Sequence, residues 1–178
     1  LNAILGFSGL LRDVYDSRKK TDEYVDIIDS SGQQLLNIID DILEISEIEA
    51  GQISISPDTI NINKVMRELY QLLSKQAELK GLTLSFLGDY RNDFYTLTDE
   101  NRLKQIMCNL LNNAIKFTPE GKVQFGYEIE EDDIRFYVID TGIGISEIDR
   151  SIIFKPFRQV ETGSTRNYGG NGLGLSIS

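Results

Sequence analysis

Histidine is missing from this sequence altogether, so it holds no imidazole to act as a nucleophile. Cysteine is nearly missing too: Cys108 stands alone among 178 residues and has no partner for an internal disulfide. Its neighbours Met107, Leu110 and Leu111 point to a buried helical position and a reduced thiol, which fits a cytoplasmic setting. Basic residues are few, 18 Lys and Arg against 28 Asp and Glu, for a net charge of −10. That balance argues against nucleic acid or an anionic membrane as the main partner, because neutralising phosphates takes a cationic surplus. No apolar run approaches the roughly 20 residues that cross a bilayer, and no basic segment followed by an apolar one opens the chain. Any membrane span of the parent protein is expected outside this stretch.

What is present is ordinary globular composition, with 40% hydrophobic and 26% charged residues, enough to bury a core. Leu1, Ile4, Leu5, Leu10, Leu11 and Val14 recur near the 3.6-residue helical period, predicting a helix to about residue 16. Leu1 enters this pattern with no capping residue before it, so the helix is expected to begin upstream. A second pattern runs through Val25, Ile28, Leu35, Ile39, Ile42 and Ile45, with Gly51 as the residue that ends it. Leu36, Ile38 and Leu43 widen its apolar surface beyond what one partner helix covers. A dimeric four-helix bundle would cover it, and so would packing as a helical cap on the next domain.

From Gln52 onward the period shortens. Ile53 and Ile55 alternate, as do Leu82, Leu84 and Phe86 after a helix-like stretch from Asn63 to about Lys80. Asp99 is placed to cap a helix running through Phe117, which Pro119 and Gly121 stop. Two alternating runs follow, Lys122 to Ile129 and Ile134 to Asp140, joined by an acidic turn. Thr141 to Ser178 is rich in Gly and polar residues and reads as a long functional loop. The expected class is α+β: a helical hairpin, residues 1–51, then an α/β sandwich with a mixed or antiparallel sheet, residues 52–178.

Three constellations carry chemistry. Asn109, Asn113 and Lys116 fall at i, i+4 and i+7, on one helical face. Amide oxygens suit a hard cation such as Mg²⁺ and a lysine suits phosphate; a plain solvated face has the same look. Asp140-Thr141-Gly142-Ile143-Gly144-Ile145 ends an apolar strand, where a carboxylate can accept from an exocyclic amine and glycines admit a planar ring. The same residues also suit a simple strand-to-helix turn. Gly169 to Leu175 places glycines before an apolar helix start, a setting that favours phosphate, without the Gly-Lys-Ser/Thr of a P-loop. Between them Arg158, Thr162, Ser164, Thr165 and Arg166 suit either a polyphosphate lid or a solvent loop.

In order, NLLNNAIK (109–116), DTGIGI (140–145), FKPF (154–157) and GNGLGL (170–175) resemble the N, G1, F and G2 boxes of two-component sensor histidine kinases. LNAILG (1–6) resembles the sequence after the family's phosphoacceptor histidine box, and LEISEIEAG (43–51) the end of its second dimerisation helix. The resemblance implies a Bergerat-type ATP site, with Asp140 on the adenine amino group and Gly142, Gly144 and Ile145 around the ring. It puts Asn113 on Mg²⁺, with Asn109 and Lys116 supporting metal and phosphates. Gly170, Gly172, Leu173 and Gly174 would wrap the phosphates, Phe154 and Phe157 anchor the lid, and Arg166 reach the γ-phosphate.

The resemblance further implies transfer of the ATP γ-phosphate to a histidine and on to a response-regulator aspartate, in a homodimer joined through the hairpin. Where gyrase-type relatives carry a water-activating glutamate, this chain has Asn109, whose amide lacks the basicity for hydrolysis. Against the family pattern the sequence has no phosphoacceptor histidine, and it carries Lys155 where acidic residues are common in the F box and Asn171 where Thr is frequent. The closing helix and strands that the resemblance leads one to expect are not found up to Ser178. The remaining alternative is a degenerate nucleotide-binding or dimerisation module that signals without kinase activity.

Overall fold

The two helical periods at the start of the chain become α1 (Asn2–Leu11) and α2 (Arg18–Glu49), packed on each other with the Phe7 and Tyr24 rings 5.3 Å apart. The computed structural model describes residues 2–11, 18–88, 92–131, 133–155 and 172–177. It divides into two compact units, Leu1–Gln52 and Ile53–Ser178. At the end of α2 Gly51 takes φ +64, so that its N–H reaches Ile48 O at 3.0 Å and the Gln52 N–H reaches Glu47 O at 2.9 Å. This paired closure satisfies carbonyls the helix leaves open, and only a residue without Cβ enters that backbone region cheaply. Within this unit Ile45 is buried, whereas Leu5, Leu36, Ile39, Ile42 and Leu43 are exposed.

The second unit opens with β1 (Asp58–Asn61) and passes directly into α3 (Ile62–Leu79), whose first turn is capped by the Asn61 side chain accepting from Lys64 N–H. Ile62, Val65, Met66, Leu69, Leu73 and Ala77 are buried at helical spacing, which gives α3 one inward stripe. β2 (Thr83–Leu87), β3 (Tyr95–Thr98), α4 (Glu100–Phe117), β4 (Lys122–Glu130) and β5 (Asp133–Asp140) follow. β2 lies parallel to β4 and β5 antiparallel to it, a mixed three-stranded sheet in the order β2-β4-β5; β1 and β3 pair separately and antiparallel. Leu84, Phe86, Val123 and Phe125 of the sheet meet the stripes of α3 and α4 in one core cluster. Two layers result, helices against a sheet.

Two expectations need correction. The Ile53 and Ile55 alternation does not form a strand, and Ile55 is exposed. Pro57 has no N–H to give a ladder, and the Ser56 N–H is taken by the Asp99 carboxylate at 2.9 Å. β1 and β3, which no periodicity announced, are four-residue pieces with at most one buried position each. The long loop also holds two short helices, α5 (Glu147–Arg150) and α6 (Gly174–Ile177).

Candidate functional site

α4 is the beam on which the site hangs. Its N-terminus is held by Asp99, whose Oδ1 accepts from Asn101 N–H at 3.0 Å and Arg102 N–H at 3.1 Å while Oδ2 accepts from Ser56 N–H. These amides, Ser56 first, hold the Asp99 carboxyl below the usual carboxylate range. Met107, Leu111, Ala114 and Ile115 bury the inner face of α4. Asn109, Asn113 and Lys116 are half-buried on the helix.

The described part of the glycine-rich C-terminal segment, residues 172–177, reaches α4 at Asn109. Asn109 Nδ2 donates to Gly174 O at 3.2 Å, and Leu173, fully buried, anchors the segment just before α6. Asn113 makes no side-chain hydrogen bond among the described residues. The Lys116 ammonium stands 4.7 Å over the Phe117 ring, and burial pushes its pKa below the ordinary lysine value.

At the other end of α4 the β5 terminus is clamped in place. Thr141 N–H donates to Lys122 O at 3.2 Å, Lys122 N–H to Thr141 Oγ1 at 3.0 Å, and Ile143 N–H to Phe117 O at 3.2 Å. Asp140 is exposed at the strand end; its Oδ1 accepts from Gly142 N–H at 2.8 Å, and its other oxygen makes no hydrogen bond among the described residues. Glycine is demanded at 142, because a Cβ there would lie 2.4 Å from Phe117 O. Gly144 is demanded by its φ of +68, yet nothing lies within 4 Å of where its Cβ would stand. The turn is thus rigid toward the protein and open on its other side, which Ile143 and Ile145 flank with exposed apolar surface. Phe154 is exposed as well, while Phe157, Arg166 and Gly170 lie outside the described residues.

The structure therefore brings Gly174 of α6 to Asn109 of α4, and ties the turn that holds Asp140 and Gly142 to the end of the same helix through Ile143. Sequence reasoning passed over Lys80, whose ammonium donates to Ile115 O and Lys116 O, and Thr118, a fully buried hydroxyl without a hydrogen-bond partner among the described residues. A lysine beside a helix-ending glycine was the available signal for Lys80; its partners on another helix were not. A shallow groove between α3 and α4, lined by Glu68, Leu72, Lys104, Gln105 and Cys108 among others, contains none of the candidate residues.

Helices packed on a mixed sheet, with a carboxylate and a glycine turn at one strand end, define the class, an α/β sandwich that follows a helical hairpin in the chain. Residues 98–178 match the family described as histidine kinase-, DNA gyrase B- and HSP90-like ATPase, and residues 1–51 match the His Kinase A (phospho-acceptor) domain. The autoinducer 2 sensor kinase/phosphatase LuxQ of Vibrio cholerae serotype O1 is 37% identical over 183 residues, covering 99% of this chain and 21% of LuxQ. Full-length ShkA, solved with AMPPNP, superimposes with a TM-score of 0.74 at 30% identity over 99% of this chain and 36% of its own. The catalytic domain of histidine kinase ThkA aligns at 32% identity, TM-score 0.59, over 68% of this chain and 76% of its own. The chain belongs to the two-component sensor histidine kinases. It spans about a fifth of the length of LuxQ. No described helix is long and apolar enough to cross a membrane.

Proposed function

We propose that residues 52–178 bind ATP for phosphoryl transfer to a protein histidine and then to a response-regulator aspartate, and that residues 1–51 form part of the dimerisation hairpin. The observation that carries this reading is Asp140: a strand-end carboxylate with one oxygen fixed by Gly142 and the other available to an adenine amino group. Gly142, Gly144 and Ile145 border the ring, and Gly172, Leu173 and Gly174, held at Asn109, run beside the phosphates. In this reading Phe154 and Phe157 would anchor a lid, Arg166 would reach the γ-phosphate and Gly170 would join Gly172, Leu173 and Gly174 at the phosphates; of these, Phe157, Arg166 and Gly170 lie outside the described residues. ThkA, a relative at 27% identity, has been solved in complex with the response regulator TrrA, which supports a receiver domain as partner. We place the chain in the cytoplasm, with any membrane anchor in other segments of the parent protein.

The donor set fits Mg²⁺. No group of three or more His, Cys, Asp or Glu forms a metal cluster among the described residues, and Mg²⁺ needs none: it takes one or two protein oxygens and completes its shell with phosphate and water. Asn113, half-buried on α4 without a hydrogen-bond partner among the described residues, offers such an oxygen, and Asn109 and Lys116 flank it. When bound, the ion would neutralise phosphate charge. Calorimetric titration with ATP, with and without Mg²⁺, tests the reading. Asn113→Ala should weaken Mg-ATP far more than metal-free ATP, and equal losses would remove Asn113 from the metal.

A further inference from the structure

α4 ends where two parts of the nucleotide site begin, since Lys116 lies in its last turn and the Phe117 carbonyl holds the turn after β5. A helix leaves its last four carbonyls without intrahelical partners, so each needs one from elsewhere. Ala114 O accepts from the Thr118 N–H at 3.1 Å, and Phe117 O from the Ile143 N–H at 3.2 Å. The two carbonyls between them, Ile115 O and Lys116 O, both accept from one ammonium, that of Lys80, at 2.5 and 2.6 Å. Lys80 is the C-cap of α3. Immediately after it the chain is locked, Gly81 N–H to Glu78 O and Leu82 N–H to Ala77 O, both at 2.9 Å, with Leu82 and Ala77 buried in the core. The charge is therefore delivered from a rigid point onto the negative end of the α4 dipole.

We propose that Lys80 is a positioning residue of the nucleotide site: it pins the last turn of α4 and, through the Phe117 carbonyl, sets the 140–145 turn that meets the base. This role rests on Asp140 being the adenine contact. Without Lys80, two half-buried carbonyls lose a charged donor, and the helix end, whose Phe117 carbonyl leaves no room for a Cβ at position 142, is free to shift. A shift of that kind leaves the core intact and displaces only the turn, because the inward stripes of α3 and α4 do not involve Lys80.

Two variants test this in the whole chain. Lys80→Met keeps the aliphatic stem and removes the donor; Lys80→Arg keeps a cation that can serve both carbonyls. Backbone hydrogen exchange of the nucleotide-free chain should quicken selectively in Lys80→Met at Ile143 and Thr118, with Phe125 and Val138 unchanged, and should return toward wild type in Lys80→Arg. ATP affinity should fall about tenfold in Lys80→Met and recover in Lys80→Arg. Exchange that quickens across the whole sheet makes Lys80 a general stability residue and overturns the proposal. Unchanged exchange at Ile143 overturns it as well. Asp140→Asn is the control for the underlying reading. If folded wild type binds no ATP, or binds it independently of Asp140, the nucleotide assignment fails and the nucleotide role of Lys80 with it, whereas selective exchange still establishes the pin itself.

Discussion

Asp140 and Thr118 make opposite predictions although both are small polar side chains near one helix end. Asp140 is exposed, and its second oxygen has no partner among the described residues. Asp140→Asn should therefore leave the melting temperature nearly unchanged and cut ATP affinity by about one to two orders of magnitude, the worth of a hydrogen bond to a charged group. Calorimetry beside thermal unfolding reads both, and an affinity within twofold of wild type would remove the adenine contact. Thr118 is fully buried, and its hydroxyl has no partner among the described residues, so burial costs without return. Thr118→Val keeps the shape and should hold stability constant or raise it by about 1 kcal/mol in denaturant titration. A clear loss would mean the hydroxyl is satisfied in solution. Gly142→Ala has no neutral outcome: with Phe117 O 2.4 Å from the new Cβ the backbone must move, at a cost of roughly 1–3 kcal/mol.

At the scale of elements, α4 was legible because its two ends were both signalled: Asp99 as cap, and Pro119 with Gly121 as stop. Asp99 also makes the helix sensitive to acid. Its pKa is lowered in the fold by the amides of Ser56, Arg102 and Asn101. A carboxyl with a depressed folded pKa contributes stability that is fully present above its unfolded value, about pH 4, and that disappears as pH falls through the folded value. Between roughly pH 5 and pH 3 the wild-type melting temperature should fall more steeply than that of Asp99→Asn, which caps without titrating. Parallel declines would show that the cap carries no proton linkage. The Ser56 bond that creates this linkage is also why residues 53–55 misled, since it diverts backbone that alternation alone assigned to a ladder. β1 and β3 stayed hidden for a related reason. Their pairing, Asp58 with Thr98 through Asn61 with Tyr95, is long-range, and four mostly exposed residues carry no period. The same holds at the site: Asn109, Asp140 and Gly142 were legible as motifs, whereas Lys80 acts on carbonyls 35 and 36 residues away, which no local pattern encodes.

For the molecule as a whole, the hairpin poses the larger energetic question. Leu36 is 55% exposed and Leu43 58%, seven residues apart and so on nearly one line of α2, with Ile39 between them at 44%. Burying a leucine contributes about 1.5–3 kcal/mol, so a stripe of this kind left in water forgoes several kcal/mol that a second copy can recover. The His Kinase A match over residues 1–51 supports the second copy over an intramolecular cap. Sedimentation velocity at tens of micromolar should therefore find a dimer, and Leu36→Glu with Leu43→Glu should convert it to a monomer that still binds ATP, because neither residue belongs to the unit that carries Asp140 and Asn109. A wild-type monomer across that range would return the stripe to an intramolecular role. Dimers that persist in the double variant would place the interface elsewhere. If both associations vanish together, the two units are coupled through more of the chain than the hairpin alone.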